Sequence, residues 1–153
     1  MRTIVTLKYG NKYSSNDVNT IYNMCKHQCQ NFWCRTDDPE GLEQGILTSH
    51  IKHSMGNWEK ILLLGKDFGG PTIYLDLDVI VQGNLTPLFN LCDEPTICET
   101  YWKDFGGAWN SSVMAWSCKN AAYIPEAFFK NFDYNLHKYD GKDDNFLYDG
   151  RFF

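Results

Sequence analysis

The string Asp76-Leu77-Asp78 is the part of this chain best placed to do chemistry. It lies within Thr72-Ile73-Tyr74-Leu75-Asp76-Leu77-Asp78-Val79-Ile80-Val81, a run rich in β-branched residues. Gly70-Pro71 precedes it and Gly83-Asn84 follows, the punctuation expected of a strand. In an extended segment, residues two apart point to the same side. Ile73, Leu75, Leu77, Val79 and Val81 would then share an apolar face, and Asp76 and Asp78 would share the other, about 7 Å apart. Two carboxylates projected together repel unless a cation lies between them. Hard divalent ions such as magnesium, manganese or calcium favour carboxylate oxygen. The plainer alternative is a pair of solvated carboxylates at the end of an amphipathic strand. With 13 aspartates in 153 residues, about one such pair arises by chance. The information therefore lies in where the pair sits.

The rest of the sequence predicts how that strand is held. Thr3–Lys8, Asn31–Arg35, Thr96–Glu99 and Ser112–Trp116 read as further strands. Ser14 and Asp17 have capping-box spacing. Behind them Val18, Ile21, Tyr22 and Cys25 recur at i, i+3, i+4 and i+7, one buried helical face. Thr36-Asp37-Asp38-Pro39 is a turn. A helix is expected over Asn57–Leu64, stopped by Gly65, and another from Pro125, which suits a first helical position. Strands alternating with helices predict a single α/β domain with a mostly parallel central sheet flanked by helices. Ligands of such sheets sit at the carboxyl ends of the strands.

Composition narrows the function. Lysine plus arginine total 14 against 19 acidic residues, a net charge of −5, which argues against a nucleic-acid partner. The apolar runs Ile61–Gly65 and Val79–Val81 are far too short to span a bilayer. Met1–Lys8 has no apolar signal core before its next charge, so the expectation is a cytoplasmic protein without a secretion signal. In that setting the six cysteines are expected to be reduced thiols. Cys25, Cys29 and Cys34 lack the paired CxxC spacing of a zinc site.

Several segments resemble GT-A-fold, D-x-D-containing glycosyltransferases, in their order along the chain. Ile73–Leu85 is similar to the family's "YLD-x-D-x-x-V-x-G-x-L" region. Thr6-Leu7-Lys8-Tyr9-Gly10 followed by Tyr13 resembles its first strand and nucleotide-binding loop. Trp58-Glu59-Lys60 is similar to its W-x-K segment, Trp109-Asn110-Ser111-Ser112-Val113-Met114 to its "F-N-S-G-V-M" strand, and Gly141-Lys142-Asp143-Asp144-Asn145-Phe146 to its late "G-D-Q-x-F" helix start. The resemblance implies a GT-A-like, Rossmann-type single domain. It implies transfer from a UDP- or GDP-linked sugar with Mn2+ or Mg2+ as cofactor, to a sugar or glycan acceptor that the sequence does not name. Asn145 departs from the usual glutamine. No histidine follows His137, so the family's late histidine ligand has no counterpart, and the usual C-terminal acceptor segment is not seen. The ending Gly150-Arg151-Phe152-Phe153 is expected to dock on the core, meet a partner or mark a truncation.

The same resemblance distributes roles. Asp78 would ligate the metal directly, while Asp76 would reach the ion or the ribose, with Leu77 between them at the donor. Lys60 would contact phosphate, unless it is an ordinary solvated helix lysine. Lys8, Tyr9 and Gly10 would grip a base edge, glycine allowing close approach. Tyr13 would stack on the base, or else staple the first helix to the sheet. Asp37 and Asp38 would touch ribose, or only turn the chain before Pro39. Asn110 and Ser111 would meet the donor sugar, or serve as polar residues at a strand start. Asp143 and Asp144 would supply an acceptor base or a sugar contact, or simply complement a helix dipole. Aromatic residues make up 16% of the chain. Tyr101, Trp102, Phe105, Trp109 and Trp116 form a group suited to sugar rings or to the core. His27, His50 and His53 read as structural or surface residues.

Two other readings stay open. Leu75-Asp76-Leu77-Asp78-Val79 also resembles the D-x-D-x-[TV] signature of haloacid-dehalogenase-type phosphatases, in which Asp76 would be the nucleophile, although that motif normally opens its domain. The second is a non-catalytic module that binds a nucleotide sugar without transferring it.

Overall fold

The computed structural model describes residues 1–100 and 108–153. Six strands form one sheet: β1 (Thr3–Lys8), β2 (Asn31–Thr36), β3 (Ile46–His50), β4 (Thr72–Leu75), β5 (Thr96–Thr100) and β6 (Ala108–Trp116). Their spatial order is β3-β2-β1-β4-β6-β5. Strands β3, β2, β1 and β4 pair in parallel, and β6 runs antiparallel to both β4 and β5. Five strands thus share one direction and β6 opposes them. The mostly parallel α/β sheet expected from the sequence is present. The edge strand β3 was not among the expected strands; its Thr48, Ser49 and His50 are polar and its burial is only partial, so no apolar alternation marks it. Tyr101, Trp102 and Phe105 lie outside the described residues.

Helix α1 (Ser15–Cys25) starts where the capping box predicts. Asp17 accepts the Ser14 N–H at 2.7 Å, and Val18, Ile21 and Cys25 are buried. Helix α2 (Glu59–Leu64) ends at Gly65, and α3 (Thr86–Phe89) follows β4. After β6 come α4 (Cys118–Ala121), α5 (Tyr123–Lys130), α6 (Phe132–Tyr139) and α7 (Asp143–Gly150). Pro125 occupies the third position of α5 rather than the first, because the chain turns straight out of α4 into it.

Strand alternation splits the core into two layers. Ile4, Ile73 and Leu75 face α1, with Phe32, Cys34 and Leu77. Val5, Leu7, Tyr74, Met114 and Trp116 face the opposite layer, with Trp58 and Ile61 of the α2 region, Phe128 of α5 and Phe146 of α7. All six cysteines are free thiols, and burial pushes Cys25 and Cys34 up to about 12. The C-terminal phenylalanines dock on the second layer. Phe152 lies 5.1 Å from Phe146, Phe153 lies 5.8 Å from Trp109, and the Tyr123 hydroxyl donates to the Phe152 carbonyl.

Phe128 is fully buried, stacks on Trp58 at 4.7 Å and meets Phe132 and Phe146 edge-on. Phe128→Ala leaves a cavity between three helices. It is expected to lower unfolding free energy by about 3–5 kcal/mol in urea titrations. A loss below about 1 kcal/mol would mean that α5 does not pack this way.

Candidate functional site

The sheet order reverses between β1 and β4: from β1 the chain first builds outward through β2 and β3, then returns to build on the other side. Such a switch point opens a crevice at the carboxyl ends of the strands. Strand β4 pairs with β1 only over Thr3–Val5, while β1 stays paired with β2 out to Lys8. The two strands therefore part above Val5. A cavity of about 190 Å³ fills the gap, lined by Leu7, Tyr9, Lys12, Tyr13, Asn57, Lys60, Tyr74, Asp76, Leu77 and Asp78. A larger depression of about 590 Å³ lies at the opposite end of the sheet, around Arg2, Gln30 and Gly83. It contains none of the expected site residues.

The Asp76–Asp78 geometry differs from the expected strand face. Strand β4 ends at Leu75, and the Val79 N–H donates to the Asp76 carbonyl at 3.2 Å, closing a turn. The strand stops because β1 no longer pairs there and only one further bond, Asp76 N–H to the Ser112 carbonyl, continues the β6 side. The apolar half of the expectation holds: Ile73, Leu75 and Leu77 are buried in one layer, with Val79 and Val81 packed against it. The acidic half splits. Asp76 keeps the Tyr74 side of the sheet, whereas the turn carries Asp78 to Tyr13, whose hydroxyl donates to it at 2.9 Å.

At the floor of the crevice sits a buried ammonium. Lys60 Nζ lies 3.0 Å from Asp76 Oδ1, donates to the Ser111 hydroxyl at 3.1 Å, and stands 3.9 Å from Asp143 Oδ2. The Ser111 hydroxyl donates in turn to Asp143 Oδ2 at 2.7 Å, and the Tyr74 hydroxyl to Asp76 Oδ1 at 2.6 Å. Lys60 is 7% exposed and Asp143 4%. Burial alone would lower the Lys60 pKa, but Asp143, Asp76 and Asp144 together outweigh it and hold it raised and charged. Burial pushes the Asp143 carboxyl up to about 6 despite the attraction of Lys60. Lys60 is therefore a buried anchor, not a solvated helix lysine.

Strand β6 delivers Ser111 because it runs backwards: its amino end meets the carboxyl ends of the other strands. Its pairing with β5 jumps from Ile97↔Met114 to Cys98↔Asn110, so Ser111 and Ser112 bulge out of that ladder. Side chains take over from the missing partner strand. The Ser111 N–H donates to Asp144 Oδ1 at 2.7 Å, and the Ser112 N–H to Asn110 Oδ1 at 2.8 Å. Asn110 is thus turned on its own backbone, while Ser111 joins the charged network.

The first loop forms a separate group. The Lys8 ammonium donates to the Asp38 carbonyl at 3.1 Å and lies 3.9 Å from its carboxylate. The Gly10 N–H donates to Asp37 Oδ2 at 2.8 Å from a left-handed backbone (φ 59°). The other Asp37 oxygen is buried without a hydrogen-bond partner. A hollow of about 430 Å³ over Lys8, Gly10 and Asp38 shares Lys12 and Tyr13 with the crevice. The Tyr9 hydroxyl donates to Asn57 Oδ1, and Asn57 donates to the Gly141 carbonyl. Tyr74, Asn57 and Lys12 are lining residues that sequence reasoning missed. Tyr74 was legible in principle, two residues before Asp76 and so on its face.

Among the described residues no three His, Cys, Asp or Glu side chains converge on one point. Two carboxylates at one cavity still suit a hard cation that takes its remaining ligands from water and phosphate, the usual habit of magnesium. No helix of the described residues is long and apolar enough to cross a membrane.

No family model matches the chain, and no curated protein matches it in sequence. Solved structures do. The galactosyltransferase LgtC, in complex with donor and acceptor sugar analogs, superposes with a TM-score of 0.64 at 16% identity, over 95% of this chain and 70% of that one. The glycosyltransferase GlyE of Streptococcus pneumoniae TIGR4 gives 0.72 at 15% identity, over 95% of this chain and 42% of GlyE, and its apo form gives 0.61 at 18%, over 90% and 38%. The chain has the GT-A fold. Within it the β1/β4 crevice and the reversed strand β6 are the elements that gather the expected site residues.

Two outcomes follow for the buried network of this GT-A domain. Lys60→Met strands Asp76 and Asp143 without their cation and is expected to cost about 3–5 kcal/mol of stability near neutral pH, measured by urea unfolding. A neutral result would mean that the carboxylates reach water. Asp143 has a folded pKa of about 6, above its unfolded value of about 3.9. Its protonated form favours the fold, fully so below about pH 4, and that contribution is lost as pH rises through about 6. The stability of the native chain relative to Asp143→Asn should fall by up to about 3 kcal/mol across this window and level off above it. A flat difference would remove the burial argument.

Proposed function

We propose that the chain binds a nucleoside-diphosphate sugar in the β1/β4 crevice and transfers the sugar to a hydroxyl acceptor, as a hexosyltransferase dependent on a divalent cation. The observation that carries this reading is the Lys60–Asp76–Ser111–Asp143 network at the floor of the crevice, with Asp78 across the opening. It draws support from the GT-A fold and from the complex of LgtC with donor and acceptor sugar analogs.

Asp76 and Asp78 would hold Mn2+ or Mg2+, which when bound neutralises charge on a leaving diphosphate. Lys60 fixes Asp76 through a buried ion pair, and Tyr74 fixes the same carboxylate from the strand. Tyr13 orients Asp78, a different task from stacking on a base. The shared hollow over Lys8, Gly10 and Asp38 is the place for a nucleoside, with the Asp38 carboxylate as an acceptor for a ribose hydroxyl. Tyr9 and Leu77 shape the crevice wall. Of the late acids, Asp143 is turned inward, and Asp144 is the half-buried carboxylate near Ser111 able to meet a sugar hydroxyl. The phosphatase alternative needs Asp76 on the opening strand of its domain; here β1 to β3 precede β4, and Lys60 and Tyr74 already hold both Asp76 oxygens. Binding without transfer is the second reading; it uses the same crevice and differs only in whether the sugar leaves.

Thermal unfolding with UDP or GDP, with and without Mn2+, tests donor binding. A nucleotide at a hundred times its Kd should stabilise by about 2.7 kcal/mol. The effect should need the metal and vanish in Asp78→Ala. Stabilisation indifferent to both would sink the assignment. Release of nucleoside diphosphate from a UDP- or GDP-linked hexose then separates a transferase from a binding module.

A further inference from the structure

A second hollow, of about 420 Å³, lies outside the crevice and is lined by Trp109, Tyr148, Asp149, Arg151 and Phe153. The donor chemistry above uses none of these residues. Its walls are aromatic: Tyr148 and Phe153 meet Trp109 edge-on at 5.4 and 5.8 Å. Trp109 and Phe153 are only partly buried, and Tyr148 is 42% exposed. Large ring surface is thus left in water on a helix that buries Phe146 and Leu147 on its other side.

Two charged groups sit among the rings, and they differ. Asp149 is fixed from outside the hollow: the Lys138 ammonium donates to it at 3.0 Å and the Tyr139 hydroxyl at 3.3 Å. The Arg151 N–H closes the end of α7 on the Tyr148 carbonyl at 3.1 Å, but its guanidinium makes no hydrogen bond, ion pair or ring contact among the described residues, whereas those of Arg2 and Arg35 are both engaged. Its backbone is left-handed (φ 51°) at the end of α7, a position that favours glycine. An arginine there carries a conformational cost and gains nothing from the rest of the chain.

The position is as telling as the composition. Trp109 is two residues before Ser111 on β6. Tyr148 follows Asp144 by four residues, so both lie on one face of α7, about 6 Å apart along its axis. That is roughly the span of one sugar ring from the half-buried carboxylate at the crevice.

We infer that this hollow binds a pyranose ring of the acceptor, its C–H face packed on the exposed Tyr148 ring with Trp109 as the wall at right angles to it, its hydroxyls donating to Asp149 and accepting from the Arg151 fork. Ring surface supplies area, and a few fixed polar groups supply orientation. Only the word "acceptor" rests on the transferase reading; the sugar site itself needs no nucleotide.

Saturation-transfer NMR on the full chain, with methyl β-galactoside and methyl β-glucoside and no nucleotide, tests it. Ring protons of at least one glycoside should receive saturation. The Trp109 indole N–H resonance, assigned through Trp109→Phe, should move while those of the buried tryptophans stay. Arg151→Ala and Tyr148→Ala should each weaken binding at least tenfold without changing Tm, and Asp78→Ala should leave it intact. No saturation transfer up to the solubility limit of both glycosides overturns the proposal. So does transfer undiminished in both variants, or a Trp109 resonance moved by UDP or by a hexuronate and not by either neutral glycoside. If nucleotides fail to bind while the glycoside still moves Trp109, the donor reading falls and the sugar site stands.

Discussion

A charged lysine held out of water constrains everything near it. Lys60 sits on a two-turn helix, yet its ammonium reaches across to β4, β6 and α7. Removing such a charge from water is costly, and the cost is offset only by close, well-directed partners. Those partners must come from elements far apart in the sequence, so the ion pair fixes their relative positions. Asp76 is set by Lys60 and Tyr74 together, and Ser111 is set by Lys60, Asp143 and Asp144 together. A network in which each polar atom has a partner is rigid. Rigidity at the floor of a crevice is what a site needs when it must hold a ligand's charged atoms in one geometry.

The sheet supplies the places for these partners. Because β4 leaves β1 after Tyr74, the crevice opens beside Asp76. Because β6 runs against its neighbours, a strand beginning brings backbone N–H groups to an end where parallel strands finish. The bulge between Ile97 and Cys98 then frees the Ser111 N–H from β5, and Asp144 takes it up. The start of α7 is thereby tied to β6 by two adjacent acids with opposite tasks: Asp143 points into the charged core, and Asp144 caps a loose piece of strand. The sequence marks both as helix-start acids and leaves their difference unstated, since that difference depends on the bulge.

How legible the molecule was varied with the range of the interaction. Local signals served well. The Ser14–Asp17 capping box starts α1, Gly65 ends α2, and the alternation of Ile73, Tyr74 and Leu75 assigns each to the correct layer. Signals that depend on a neighbour mislead. Period-two alternation continued past Leu75 only in the sequence; in the fold the partner strand is gone and the chain turns, so Asp76 and Asp78 part company. Edge strand β3 has no such signal because its polar residues fall on both faces, Thr48 and His50 on one and Ser49 on the other, and its burial is only partial. The resemblance reads Lys60 as a phosphate contact; its burial has no local signature, because three of its neighbours come from other elements. Lys8, Gly10 and Asp38 gather at a hollow apart from the Lys60 network, Tyr9 lines the crevice with Lys60, and Lys12 and Tyr13 are the shared wall.

The unequal surroundings of the two aspartates bear on where added positive charge would act. Asp76 already has an ammonium at 3.0 Å and a tyrosine hydroxyl at 2.6 Å. Asp78 accepts from the Tyr13 hydroxyl at 2.9 Å and, among the described residues, has no ammonium as close, Lys12 acting on it from farther away. The crevice and its floor bring Asp76, Asp78, Asp143 and Asp144 near one buried lysine, an excess of negative charge at the place where a diphosphate is proposed to bind. Without further cations, like charges would repel that ligand. Lys12 lines the opening but is held over the Tyr13 ring at 4.6 Å. On the proposed reading the divalent ion therefore does more than assist a leaving group. A cation held by Asp76 and Asp78 would supply the positive charge that draws a diphosphate to the site, and Asp78, which lacks the close ammonium that Asp76 has, would be the carboxylate it balances.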